Sequence, residues 1–256
     1  VANVYFELTE AFNAEGTIAV LASGQAVVFH RLAIMSKDGD WVLQESASAC
    51  HRVLAVLERR AARYRASAPL DPRWLAGGWS SHLEFRDERG RRVRCDFVSR
   101  PPRIALDDIP ALFSEACGQG PLRVIDLDRL IRLKQTQRAK DYAVIGELAR
   151  RLPPASEILY TTDVDRILEL SAQFPDCPRK PARAALQGGR DDVVIALARE
   201  IDELQTIDRE RMGRYERASA AYFAELLRSG VCDLALSEGH TVAVDLAERL
   251  LPMEPA

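Results

Sequence analysis

Apolar residues over the first hundred positions fall in short runs and in period two, and beyond residue 125 they fall mostly in the 3.6 period of helices. Thr17 to Ala22 is a continuous apolar run short enough for a buried strand. Ser23-Gly24 ends it, and Gln25 to Leu32, with Ala26, Val27, Val28 and Phe29, predicts a short helix. Ser36 to Gln44 predicts a second strand. Ser46 or Ser48 can cap the next helix, whose apolar positions Val53, Leu54, Val56, Leu57, Ala61 and Tyr64 keep a helical period. A loop rich in Pro and Gly follows (Pro69, Pro72, Gly77, Gly78). His82 to Arg86 and Arg92 to Val98 then alternate around Asp87-Glu88-Arg89-Gly90, which predicts a β-hairpin. In its second arm Val93, Cys95 and Phe97 share one face, and Arg94, Asp96 and Val98 the other. Pro101-Pro102 closes the sheet region. After Leu122 to Ile125 come helical candidates at 128–135, 141–152, 163–173, 191–204, 210–227 and 242–250. The expectation is an α/β (α+β) chain: an α/β domain over 1–125 and a helical domain over 126–256, without internal repeats.

Bulk properties narrow the class. The chain has 256 residues, 47% hydrophobic and 29% charged, with a net charge of −3, so no global charge pulls it toward nucleic acid or anionic membranes. Five scattered cysteines without a Cys-x-x-Cys pair indicate neither a disulfide framework nor a zinc cluster, and a reducing cytoplasm is the expected setting. No apolar run reaches a membrane span, and no signal pattern opens the chain; it begins at Val1, so residues upstream are expected.

Candidate chemistry centres on Asp38-Gly39-Asp40. Aspartates two apart in a strand leave from one face, and two neighbouring anions are commonly relieved by a divalent cation. Asp126-Leu127-Asp128 and Asp163-Val164-Asp165 have the same spacing but open helical patterns, where aspartate caps exposed N–H groups. Gly39 leaves room for a close ligand. Ser23-Gly24, between strand and helix, lets backbone N–H groups and a hydroxyl reach a phosphate. Asp96 in a strand between Cys95 and Phe97 requires a partner, and as a third carboxylate it completes a two-cation site. The four histidines stand isolated and read as structural or exposed. Arg89 to Arg94 and Arg179 to Arg190 are basic enough to hold RNA phosphates, yet without interleaved aromatics they read as solvated turns. Leu197, Ile201, Leu204 and Ile207 form a stripe for core or an oligomer face.

Strand, Ser-Gly, helix, strand with Asp-x-Asp, then a later strand Asp is an order that resembles the DNA polymerase beta-like nucleotidyltransferases. It is most similar to the small bacterial abortive-infection type. The segments that carry the resemblance are Ala22 to Val27, Ser36 to Asp40 and Arg94 to Phe97, then Leu127 to Lys134 with Arg138-Ala139-Lys140-Asp141, within residues 17–152. The resemblance implies a small mixed sheet with flanking helices, followed by a mostly helical carboxyl half. It implies Asp38, Asp40 and Asp96 as catalytic metal ligands for Mg2+ or Mn2+, with Asp96 also serving the acceptor hydroxyl. It implies Ser23 and Gly24 on the β and γ phosphates of an NTP, Lys134 and Lys140 neutralising phosphate charge, and Asp141 orienting a lysine or the acceptor. The chain departs from the family at Ser23 for Gly, Ile34 for Arg, and Gly39 for an aliphatic residue.

The implied activity is metal-dependent transfer of NMP from an NTP to a hydroxyl of RNA, protein or a small molecule, toxin-like in type. An antitoxin or a second copy of the chain is an implied partner, and a membrane is not. A nucleotide-binding or regulatory module without turnover stays open as the alternative.

Overall fold

The computed structural model describes residues 3–255. Along the chain run α1 (Val4–Phe12), β1 (Ala19–Ala22), α2 (Ser23–Phe29), β2 (Asp38–Leu43), α3 (Ala47–Glu58), β3 (Arg63–Tyr64), α4 (Pro72–Ala76), β4 (Ser81–Arg86), β5 (Arg92–Val98) and α5 (Ile109–Ser114). Then follow α6 (Leu127–Leu133), α7 (Ala139–Ala149), α8 (Pro154–Glu157), α9 (Val164–Gln173), α10 (Lys180–Gln187), α11 (Arg190–Arg228) and α12 (Leu236–Leu250). This is the mixed α/β class, with a five-stranded sheet, flanking helices and a mostly helical carboxyl half. Two compact units form: residues up to Asp126 together with Gly213 onward, and Leu127–Met212. The helical half is therefore shared between the units, a return of the tail that local periodicity does not reveal.

In the first unit the strand order is β1-β2-β5-β4-β3. β2 and β5 are parallel, and the other neighbours are antiparallel. The predicted alternation holds: Val93, Cys95 and Phe97 are buried, while Arg94, Asp96 and Val98 are half-exposed. On the buried face Trp41 stacks on Phe97 with ring centroids 5.3 Å apart, and Phe12 meets Trp41 edge-on at 5.4 Å. Helix α1, which the hydrophobic pattern did not announce, supplies Phe12 and also Thr9, whose hydroxyl accepts the Trp41 indole N–H at 2.8 Å. The outer edge of β1 is covered, since Leu21 N–H donates to Arg123 O and Ile125 N–H to Leu21 O, both at 2.9 Å.

Ser46 caps α3, accepting from Ala49 N–H at 3.2 Å. The expected continuation of that helix to Tyr64 is corrected: it stops at Glu58, Ala61 takes φ +51°, and Tyr64 lies in β3. Tyr64 is buried either way, so its helical spacing was coincidence rather than a helix face. The Pro/Gly loop contains α4 and is fastened to the tail. Trp74 Nε1 donates to Leu251 O at 3.2 Å, Trp79 Nε1 to Pro252 O at 3.0 Å, and the Tyr215 hydroxyl to Gly77 O at 3.0 Å. α12 also begins six positions before the predicted Val242, at Leu236.

In the second unit Asp163 caps α9 as predicted, accepting from the N–H groups of Asp165 and Arg166. The two helices expected at 191–204 and 210–227 are one helix, α11, whose residues to Met212 belong to this unit and from Gly213 to the first, because 205–209 contain neither Gly nor Pro to break it. Of the apolar stripe, Leu197 is buried against Ile167 and Val193, whereas Ile207 is 55% exposed. Arg179 is internal rather than solvated: it binds Glu200 at 2.7 Å and the carbonyls of Ile158 and Thr161. Among the described residues no helix is long and apolar enough to cross a membrane.

Candidate functional site

The outward face of the sheet is charged, and its register places the predicted carboxylates together. Asp40 pairs with Asp96 across the parallel β2/β5 ladder, and Asp38 pairs with Arg94. Neighbouring strands lie about 4.8 Å apart, so Asp40 and Asp96 leave the same face one strand spacing from each other. Asp38 is two residues along β2 from Asp40, on that face. On the other side of Asp40, its β1 partner is Ala22, immediately before Ser23-Gly24. Asp38, Asp40 and Asp96 thus lie on two adjacent strands of the first unit, and Ser23 and Gly24 open α2 at the end of the third.

Ser23 takes φ +49°, a left-handed conformation uncommon for a residue with a Cβ, so the strand-to-helix junction is strained. Gly24 is required by contact, since a Cβ there would stand only 2.9 Å from the Ser36 Cβ and closer still to its hydroxyl. Gly39 has a different role from the expected room for a ligand. It is buried on the opposite face, where a Cβ would meet the ring of Tyr5 at 2.5 Å and that of Trp41 closer still. The departure from an aliphatic residue between the aspartates therefore answers to aromatic packing beneath the sheet.

Two of the carboxylates face cations of the chain itself. Arg94 Nη1 donates to Asp38 Oδ1 at 3.3 Å, and Arg65 Nη1 to Asp96 Oδ1 at 3.2 Å. His82, the β4 partner of Asp96, brings Nδ1 within 2.7 Å of the same oxygen, but off the line of a ring N–H bond. Its Nε2 meets Ser80 Oγ at 2.9 Å. Among the described residues no three His, Cys, Asp or Glu side chains are drawn together closely enough to hold a metal ion. Asp38, Asp40 and Asp96 are three oxygen-donor side chains in adjacent registers of one half-exposed face, the donor type a hard divalent cation takes. Beside Asp38 opens a cleft of about 480 Å³, lined by Gln25, Val28, Ser36, Lys37 and Arg94 among others, which does not extend to Asp40 or Asp96. Tyr5 borders it, with burial pushing its phenol up to about 12 and the neighbouring Cys95 and Asp38 adding to the rise. It stays a neutral donor and holds Lys37 O at 2.6 Å, fixing the backbone just before Asp38.

Lys134, Lys140 and Asp141 belong to the second unit. Lys134 is buried, with Nζ 3.9 Å from Asp141 Oδ1, and Asp141 also accepts from Thr136 Oγ1 and Arg138 Nε, each at 2.8 Å. Lys140 is exposed. Ile34 is 99% exposed.

His82, Arg94 and Arg65 were missed as site residues. The hairpin could have yielded the first two, because a turn at Asp87-Gly90 sets His82 opposite Asp96 and Glu84 opposite Arg94. Arg65 carried no such signal, since β3 has two residues and no alternation to read.

No family model matches this chain, and no curated protein matches it. Among solved structures it is similar to a candidate nucleotidyltransferase from H. pylori, at 13% identity over 81% of this chain and 96% of that one, with a TM-score of 0.42. It is also similar to JHP933 from Helicobacter pylori, at 12% identity over 82% of this chain and 94% of that one, again with a TM-score of 0.42. Neither likeness is close enough to define a family.

Proposed function

We propose that this protein is a metal-dependent nucleotidyltransferase that moves NMP from an NTP to a hydroxyl acceptor. The observation that carries the reading is the register of Asp40 against Asp96, with Asp38 on the same face and Ser23-Gly24 beside them. Asp38, Asp40 and Asp96 would hold Mg2+ or Mn2+, which when bound supplies charge neutralisation for the phosphates and a more acidic acceptor hydroxyl. Ser23 and the Gly24 backbone would receive the β and γ phosphates, with Asp96 nearest the incoming hydroxyl. Within the second unit, Asp141 is proposed to orient Lys134, a role its 3.9 Å approach supports. Most of the rate would come from positioning and electrostatics, as in phosphoryl transfer generally. RNA, protein and small-molecule acceptors, and control by an antitoxin, are parts of this reading to be tested. Incubation with labelled NTPs, magnesium and candidate acceptors should transfer label, and Asp38→Ala or Asp96→Ala should lower transfer at least about a hundredfold. Transfer that survives either substitution would sink the mechanism.

One observation favours a second reading, a nucleotide-binding module without turnover: arginines of the chain already pair with Asp38 and Asp96. Calorimetry separates the two. Magnesium-dependent NTP binding without pyrophosphate release toward any acceptor supports the module.

A further inference from the structure

The charged sheet face is not uniform, and its basic part extends from the aspartates toward β3. In β5, Arg92, Arg94 and Asp96 share the outward face. In β4 the outward residues are His82, Glu84 and Arg86, which pair with Asp96, Arg94 and Arg92 respectively. In β3, Arg63 pairs with Glu84. Arg65, just beyond, donates its backbone N–H to His82 O. Five arginines therefore spread from β5 to the β3 edge. At that edge a cleft of about 640 Å³ is lined by Arg60, Arg63, Arg86 and Arg92, with Glu84 as its one carboxylate. Glu84 is already engaged, by Arg92 at 2.7 Å and Arg65 at 3.7 Å.

Two features of this cleft ask for an anion from outside. Arg86 and Arg92 stand directly opposite each other in the ladder, and of these like charges only Arg92 has a carboxylate partner, Glu84. Arg86 meets only the carbonyl of Gly90, at 2.9 Å, while Arg60 and Arg63 form no ion pair among the described residues. Apart from His82, the basic residues of the face are arginines, whose planar fork matches phosphate oxygens. The surface is also longer than one phosphate needs: Arg92 to Asp96 alone covers about 13 Å of strand.

We propose that this face binds the phosphodiester backbone of a single-stranded nucleic acid, which enters over the β3 edge and runs along Arg63, Arg86, Arg92 and Arg94 toward Asp96. As the acceptor strand of a transfer it rests on the nucleotidyltransferase reading; as a binding surface it stands alone. Contacts are to phosphates, and Phe85, the one aromatic lining the cleft, is buried rather than offered to stack bases, so sequence preference is weak and RNA and DNA bind alike.

Fluorescence anisotropy with labelled single-stranded RNA, and DNA of the same sequence, between about 50 and 200 mM salt tests the proposal. Arg63 and Arg86 are exposed and outside the proposed catalytic set. The double variant Arg63→Gln/Arg86→Gln, checked for an unchanged urea midpoint, should lower the slope of log K against log salt by about 1.4. Its magnesium-NTP binding should match wild type by calorimetry, and Arg63→Glu should weaken strand binding further than Arg63→Gln. Absence of salt-dependent strand binding, an unchanged slope in the double variant, or displacement of the strand by inorganic tripolyphosphate at equal phosphate concentration would each overturn the proposal. Strand binding without any label transfer overturns the enzymatic reading and leaves this one standing. Label transfer to a hydroxyl without strand binding does the reverse.

Discussion

Replacing Gly39 by alanine separates packing from ligand chemistry at the centre of the site. The added methyl would point away from the aspartates, into the aromatic layer, where the Tyr5 ring stands 2.5 Å from its position and the Trp41 ring closer still. Neither ring can yield cheaply. Trp41 is held by its indole bond to Thr9 at 2.8 Å and by the stack on Phe97 at 5.3 Å. Tyr5 is held by its 2.6 Å bond to Lys37 O. Overpacking typically costs about 1–3 kcal/mol, and with both walls fixed the upper half of that range applies. Removing glycine from the unfolded chain returns about 0.4–1 kcal/mol. The net expectation is a loss of about 2 kcal/mol, or a Tm lower by about 4–8 °C for a chain of this size. Tryptophan fluorescence during urea unfolding reads it directly, because Trp41, Trp74 and Trp79 all belong to the first unit. In a Tyr5→Ala background, with one wall removed, the same substitution should cost at least about 0.5 kcal/mol less. A Gly39→Ala protein as stable as wild type, or an equal cost in both backgrounds, would refute the reasoning.

Other consequences follow from the tail and the second unit. Trp79→Phe keeps the ring but removes the donor that holds Pro252 O and Met253 O, so it should cost about 1 kcal/mol and speed proteolytic trimming of the carboxyl end. Burial holds the His240 imidazole below its ordinary value near 6.5, against the pull of Asp71. The unfolded chain takes up that proton first, so this part of the stability is complete above about pH 6.5 and is lost as pH falls from there toward the lowered folded value. His240→Gln should flatten the urea midpoint against pH in that window. Arg179→Met leaves Glu200 and the carbonyls of Ile158 and Thr161 without their partner and should cost about 3–5 kcal/mol, seen as faster hydrogen exchange across Leu127–Met212.

Legibility of the site varied with the distance over which each contact acts. Asp38, Asp40 and Asp96 could be placed on their faces from alternation alone, and the hairpin turn sets who stands opposite whom in β4 and β5. That same register, followed one step further, also exposes the opposed Arg86 and Arg92. Helix α1 escaped notice because its apolar residues lie among polar ones near the start of the chain, and its value appears only against Trp41. Tyr64 misled because a buried aromatic satisfies a helical period and a strand period equally well over a few residues.

Residue pattern by itself determined β1, β2 and the β4–β5 hairpin with the inward and outward sides of its strands, and the Asp163 cap, because these depend on neighbours within a few positions. Only the tertiary structure decided that β2 lies parallel to β5, bringing Arg94 to Asp38 across 56 residues of sequence, and that the last helix returns to the loop around Trp74 and Trp79. It also gave Gly39 its reason. Such pairings are chosen by the burial of whole faces against one another, a sum over distant residues that no local period contains.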